Sequence, residues 1–292
     1  MHLENIRENQ GGRFDRYVIG SLIIVFTFFV AQLPHIFAVI NAVGIGQLDS
    51  LDIAGILQAL PPNTTLVLML LPFAVVAVLV LGIIRKLHHI SIRAFITSRT
   101  KIDWKRIAFA FGSIVLLNFL FFVISYFSNP SDFQWNFDPQ AFAILFLIAI
   151  VLVPLQTSAE ELFFRGYLMQ GFGQVFKHRI FPLLITSLMF GLMHFGNPEI
   201  DKLGPLLMVS YVSMGFFFGI ITLMDEMVFV GLVTACLFAG SPTLISPPST
   251  KAITEGVVRF PSAFGITTGS LPSITETQEF VVPKSIPIIL LI

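Results

Sequence analysis

The 292 residues contain a single cysteine, Cys236, which excludes an internal disulfide framework. It sits in an apolar run and reads as a small packing residue. Charge is also scarce. Only 12% of residues are charged, about half the share usual in soluble domains. The formal net charge is zero, so there is no basic footprint for nucleic acid. His-Glu-x-x-His, Gly-x-Ser-x-Gly and Gly-x-Gly-Asp are all missing, which removes the common zinc, serine and aspartyl protease signatures. No histidine follows His194, and no internal repeat is present.

What is abundant is apolar surface. The chain is 55% hydrophobic, with 32 Phe and a mean hydropathy of +0.87. That composition predicts an all-α polytopic membrane protein, because lipid leaves only helices or closed barrels as spanning structures. About seven spans are expected. They cover residues 17–43 (interrupted by Pro34 and His35), 65–84 (with Pro72 inside) and 107–127. A fourth runs from 140 through Pro154 to Glu160, and the others cover 180–195, 203–224 and a short 227–240. Residues 1–16 are polar and mixed in charge, and no cleavage-type sequence follows them, so the first apolar segment is read as an uncleaved span. Asn63-Thr64-Thr65 matches a glycosylation sequon, a weak signal on its own.

The connections sort by charge. Arg7, Arg13 and Arg16 precede the first span. Arg85, Lys86, Arg93, Arg99, Lys101, Lys105 and Arg106 follow the second, and Lys177 and Arg179 follow the fourth. The loops 44–64 and 128–139 carry neither Lys nor Arg. The positive-inside rule therefore puts the N-terminus in the cytoplasm of a multi-pass protein, in the plasma membrane for a prokaryote. The basic loop is read as topology and headgroup contact. Residues 1–16 form a cytoplasmic segment, 17–240 the membrane domain, and 241–292 an irregular tail broken by Pro242, Pro247, Pro248, Pro261 and Pro272.

Ionised groups at membrane depth are costly, about 2.5–3.5 kcal/mol each on insertion scales, and usually have a partner or a function. Glu160, Glu161 and Arg165 stand together in the fourth span. On a helix the two glutamates point about 100° apart. Glu161 and Arg165 are spaced i, i+4 in the acid-before-base order that favours pairing, so they read as a buried ion pair that supports the structure. Glu160 has Phe163 and Phe164 where a basic partner would stand, which leaves it as the candidate general base. His194, in Phe190-Gly191-Leu192-Met193-His194, is the second candidate. The two are awkwardly placed, however. If the fourth span ends at Glu160, that residue lies at the basic side, whereas His194 is about 14 residues, or about 21 Å, into the fifth span. Pro154 offers a break that would reposition Glu160.

Glu-Glu-x-x-x-Arg at 160–165 and Phe-x-x-x-His at 190–194, in successive spans, resemble the CPBP family. These are the CAAX prenyl endopeptidases and their prokaryotic bacteriocin-processing and self-immunity relatives. The resemblance covers residues 140–225, including Phe163-Phe164-Arg165-Gly166 and Asn197-Pro198-Glu199. It implies intramembrane hydrolysis of a membrane-anchored peptide or protein substrate without a covalent intermediate. Glu160 would activate water, His194 would orient it, and Glu161 and Arg165 would support both. No cofactor is implied. One Glu and one His are fewer than the three protein ligands of a catalytic zinc, so no metal is predicted. The family's third motif, His-x-x-x-Asn or Asp, which would stabilise the oxyanion, is missing; its place falls on Gly231 to Phe238, where Thr234 is the only hydroxyl. One account is a C-terminal end changed by frameshift or rearrangement after Met224. Two other readings compete with the protease. One is a weakly active or inactive family member acting as a membrane binding or immunity partner. The other is a transporter that uses Glu160 as a proton carrier.

Overall fold

The computed structural model describes residues 13–50, 53–128, 130, 133–135, 138–197, 200, 205–225, 227–228 and 266–268. The expected seventh span beyond Val228, with Cys236 and Thr234, and nearly all of the C-terminal tail lie outside these.

The architecture is an all-α membrane bundle. Helices α1 (Phe14–Ala31) and α2 (Leu33–Val43) form one interrupted span of 30 residues. The break falls at Gln32, and Pro34 occupies the first turn of α2, where its missing N–H costs nothing. Gly44, at φ +83°, ends the span, a conformation that favours glycine. After the short α3 (Ile53–Gln58), helix α4 (Pro62–Lys86) crosses with Pro72 inside it. Thr65 of the sequon is fully buried, and its hydroxyl donates to the Leu57 carbonyl. A one-turn α5 (Ile92–Ile96) lies in the basic loop, followed by α6 (Trp104–Ser128). A three-residue strand β1 (Phe133–Trp135) pairs antiparallel with β2 (Ile266–Thr268).

Helix α7 (Pro139–Glu161) starts with Asp138 as its cap, accepting from the amides of Gln140 and Ala141, and Pro139 at the first position, a standard pairing of cap and proline. Pro154 does not end it. The helix continues through a π-helical segment, Leu162–Leu168, into α8 (Met169–Val175), so that Pro139–Val175 is one rod of 37 residues. Helix α9 (Ile180–Met193) is short, and α10 (Leu207–Asp225) runs back along it. Among the described residues, five helices are long and apolar enough to cross a membrane, and Ile180–Met193 is a shorter apolar sixth.

Small residues set the closest approach. A Cβ on Gly191 would overlap the Val212 side chain, one on Gly215 would lie 3.0 Å from the Ser187 carbonyl, and one on Gly219 would overlap Leu183. The partner numbers fall as the glycine numbers rise, so α9 and α10 are antiparallel. Glycine contacts of this kind let membrane helices pack backbone to backbone. The main core forms where α1, α4 and the long rod meet, around Tyr17, Ile24, Val80, Ile84, Ala159 and Tyr167. Helix α6 buries only Ile114 and otherwise presents apolar side chains all round, as a lipid-facing span does. At its foot Arg106 pairs with Asp225, whose carbonyl also accepts from Arg99.

The basic segments share one end of the bundle. The Arg16 guanidinium donates to the Leu87 carbonyl, and the Gln170 amide to that of Phe95. At this end Tyr17, His88 and Tyr167 form a buried ring cluster. The Tyr167 hydroxyl donates to the Arg16 carbonyl, so it accepts from Nε2–H of His88 at 2.9 Å. Burial, and then the Arg16 charge, push the His88 imidazole down from 6.5 to about 4; Asp15 opposes this and His89 adds to it. The unfolded chain therefore binds a proton that the folded chain refuses between those two values. The contribution of neutral His88 is fully present above about pH 6.5 and is lost as pH falls towards 4. The melting temperature in detergent should decline through this window, and His88→Gln should flatten the decline. Parallel profiles for the two proteins would show that His88 has no such role.

Candidate active site

The site is built where the last turns of α7 meet the end of α9. Gln156 and Glu160 lie four residues apart on one face of α7, and the Gln156 amide donates to Glu160 Oε1 at 2.9 Å. This holds one carboxylate oxygen still without neutralising its charge. Glu161 turns the other way, into the core, and is 0% exposed. Arg165 Nη1 donates to Glu161 Oε1 at 2.7 Å, the pair that the i, i+4 spacing predicts. Arg165 Nη2 donates to the Gly215 carbonyl at 3.1 Å, and the guanidinium lies 4.3 Å from the centre of the Phe190 ring. Phe218 and Phe164 stand further out at 5.5 and 5.8 Å. A desolvated guanidinium over aromatic faces gains cation–π energy besides its ion pair. The pair thus ties the long rod to both α9 and α10.

His194 caps α9 and is 6% exposed. Its Nδ1 lies 2.8 Å from the Phe190 carbonyl. A carbonyl only accepts, so the proton sits on Nδ1 and Nε2 carries the lone pair. Tyr211 of α10 stacks on the imidazole at 4.5 Å, and Phe190 packs against it at 4.6 Å. The chain then turns, with the Asn197 amide N–H donating to the His194 carbonyl. This brings Asn197, 1% exposed, beside the same ring, and its side-chain amide is 3.2 Å from the Tyr211 hydroxyl.

Glu160, His194 and Asn197 all line one cavity of about 80 Å³, room for several waters. Among the described residues its other walls are apolar, chiefly Ile24, Phe28, Phe73, Val76, Phe163 and Phe164. Val25, Phe29 and Met193 also line it and are exposed, so the cavity opens sideways between α1 and α9. Among the described residues, no three His, Cys, Asp or Glu side chains come together that could hold a metal ion.

The expected mismatch in depth between Glu160 and His194 is corrected here. The rod does not stop at Glu160; it runs on to Val175 at the basic end. From that end Glu160 is about 15 residues, or about 22 Å, deep, close to the roughly 21 Å of His194 along α9. Pro154 plays no part in the match, because the helix passes through it. Two further neighbours of the site, Gln156 and Tyr211, stand outside the sequence motifs. Gln156 was legible as an amide four residues before Glu160. Tyr211 carried no signal, since its contact crosses from α10 to the turn after α9.

The family model described as "Type II CAAX prenyl endopeptidase Rce1-like" matches residues 138–240. The uncharacterized protein YyaK of Bacillus subtilis (strain 168) is 31% identical over 207 residues, covering 69% of this chain and 67% of its own. The chain belongs to the Rce1-like family. The Rce1-like match takes in Glu160, Glu161, Arg165, His194 and Asn197, and so both halves of the cavity's polar wall. A second relative, the putative uncharacterized protein YEL030C-A of Saccharomyces cerevisiae (strain ATCC 204508 / S288c), is 62% identical over 56 residues, 19% of this chain and 54% of its own. No solved structure matches this Rce1-like chain.

Proposed function

We propose that the protein is an intramembrane endopeptidase that hydrolyses peptide bonds of membrane-associated substrates with a water activated by Glu160 and His194. The observation that carries this reading is that Glu160 and His194 line one cavity, both as hydrogen-bond acceptors. A water between them donates one hydrogen to the Glu160 carboxylate and the other to His194 Nε2. Glu160 takes the first proton as the water oxygen bonds to the scissile carbonyl carbon. The tetrahedral intermediate then collapses with cleavage of the C–N bond, and the proton held by Glu160 passes to the leaving amine. Glu161 and Arg165 fix the rod and leave Glu160 as the available base.

The apolar walls and the sideways opening suit a substrate that arrives from the bilayer. The basic end, with the N-terminus, faces the cytoplasm on this reading, following the sorting of Lys and Arg. The test is cleavage of a membrane-anchored peptide library by the purified chain in liposomes, with products read by mass spectrometry. His194→Ala should lower cleavage by at least about 10²-fold, and undiminished cleavage would reject the role given to His194.

The second reading, a weakly active or inactive family member that binds a membrane partner, is favoured by the absence of any histidine after His194. It predicts little or no cleavage by the wild type, and a membrane phenotype that survives loss of either Glu160 or His194.

A further inference from the structure

We propose that the side-chain amide of Asn197 is the oxyanion donor of this site, in the place of the family motif the chain lacks. The proposal rests on the peptidase reading above. Attack by water places negative charge on the former carbonyl oxygen, and that oxygen needs a hydrogen-bond donor.

The two reacting side chains cannot supply one. Glu160 is a carboxylate and only accepts, and Gln156, whose amide donates to its Oε1, does not line the cavity. His194 spends its one N–H on the Phe190 carbonyl. Arg165 is committed to Glu161 and to the Gly215 carbonyl and does not line the cavity. Among the described residues, the side chains lining the cavity other than Glu160, His194 and Asn197 are hydrocarbon or thioether.

Asn197 has the required chemistry. Its amide carries two N–H groups, of which one goes to the Tyr211 hydroxyl at 3.2 Å. The other is left over on a side chain that lines the cavity. Turned over, the amide would accept from Tyr211 through Oδ1 and leave both N–H groups available. Either orientation provides a donor. Its position is fixed at both ends: its backbone N–H donates to the His194 carbonyl, and its carbonyl accepts from Ile200 N–H. The ring of Tyr211 stacks on His194 while its hydroxyl meets Asn197, so one side chain aligns both groups. A preorganised oxyanion donor is worth about 10²–10³ in rate.

The test uses the full chain in liposomes with a cleaved reporter peptide. Asn197→Ala should lower kcat about 10²–10³-fold with KM within about threefold, because the amide acts on the transition state and not on the bound substrate. A phosphonate peptide, whose tetrahedral phosphorus mimics the intermediate, should lose affinity in the variant by about the same factor. Asn197→Asp, nearly the same shape but an acceptor, should be at least as impaired, and it serves if the alanine variant does not fold. Asn197 variants with wild-type kcat, or with KM alone raised, would overturn the proposal. Two failures are distinguishable. If Glu160→Gln is inactive and Asn197→Asp fully active, only the oxyanion role falls. If the wild type cleaves nothing, or Glu160→Gln cleaves as well as wild type, the peptidase reading falls with it.

Discussion

Glu160→Gln should lower kcat for peptide cleavage about 10²–10⁴-fold, the range usual for a positioned general base, while leaving the protein folded. The substitution removes the proton acceptor but keeps the length and planarity of the side chain. Gln156 donates to Glu160 Oε1, and the oxygen of a glutamine can take the same bond. Glu160 is only half-buried and belongs to no ion pair among the described residues, so little stability rests on its charge. A fall in kcat at constant melting temperature is the expected outcome. Cleavage that persists at the wild-type rate would remove Glu160 from the mechanism. A melting temperature that falls in step with activity would make it a structural carboxylate.

The opposite pattern is expected one residue further on. Arg165→Met should destabilise the protein by about 3–5 kcal/mol, the cost of leaving one member of a buried pair uncompensated. For a chain of this size that is a drop in melting temperature on the order of 10 °C. Glu161 and Arg165 are both buried and 2.7 Å apart, with the guanidinium enclosed by Phe164, Phe190 and Phe218. Removing both charges together, as in Glu161→Leu with Arg165→Met, should recover most of the loss, because apolar side chains suit that enclosure without desolvation of either ion. Thermal unfolding of the two single variants and the double variant in detergent measures the coupling. Additive losses would mean that the two side chains act separately and that the short contact carries no stability.

These two residues show how far local spacing reaches. Neighbouring glutamates on a helix must diverge by about 100°, and a basic residue four positions after one of them claims that one. The division of labour between Glu160 and Glu161 is therefore legible without any tertiary structure. So are the break near Pro34, the apolar spans, and the gathering of Arg16, Arg99 and Arg106 at one end. Each depends on residues within a few turns of one another, or on the bulk cost of placing charge in lipid.

The cavity was not legible in this way. Glu160 comes from one segment and His194 with Asn197 from another, and two quantities that no local pattern encodes bring Glu160 and His194 level. One is where the rod ends. Leu162–Leu168 continues it as a π-helix towards Val175, although the polar cluster at Glu160 looks from the sequence like the end of a span. The other is the register of α9 against α10. Close glycine contacts at Gly191, Gly215 and Gly219 set it, and it places Tyr211 on His194 and beside Asn197.

The sequence by itself determined that this is an all-α membrane protein with one committed ion pair and one carboxylate left over, because hydropathy and helical spacing act over a few residues. Only the tertiary structure decided that Glu160 and His194 share a depth and, with Asn197, one cavity. Interhelical register follows from side-chain packing summed over whole helices, and no short stretch of sequence holds that sum.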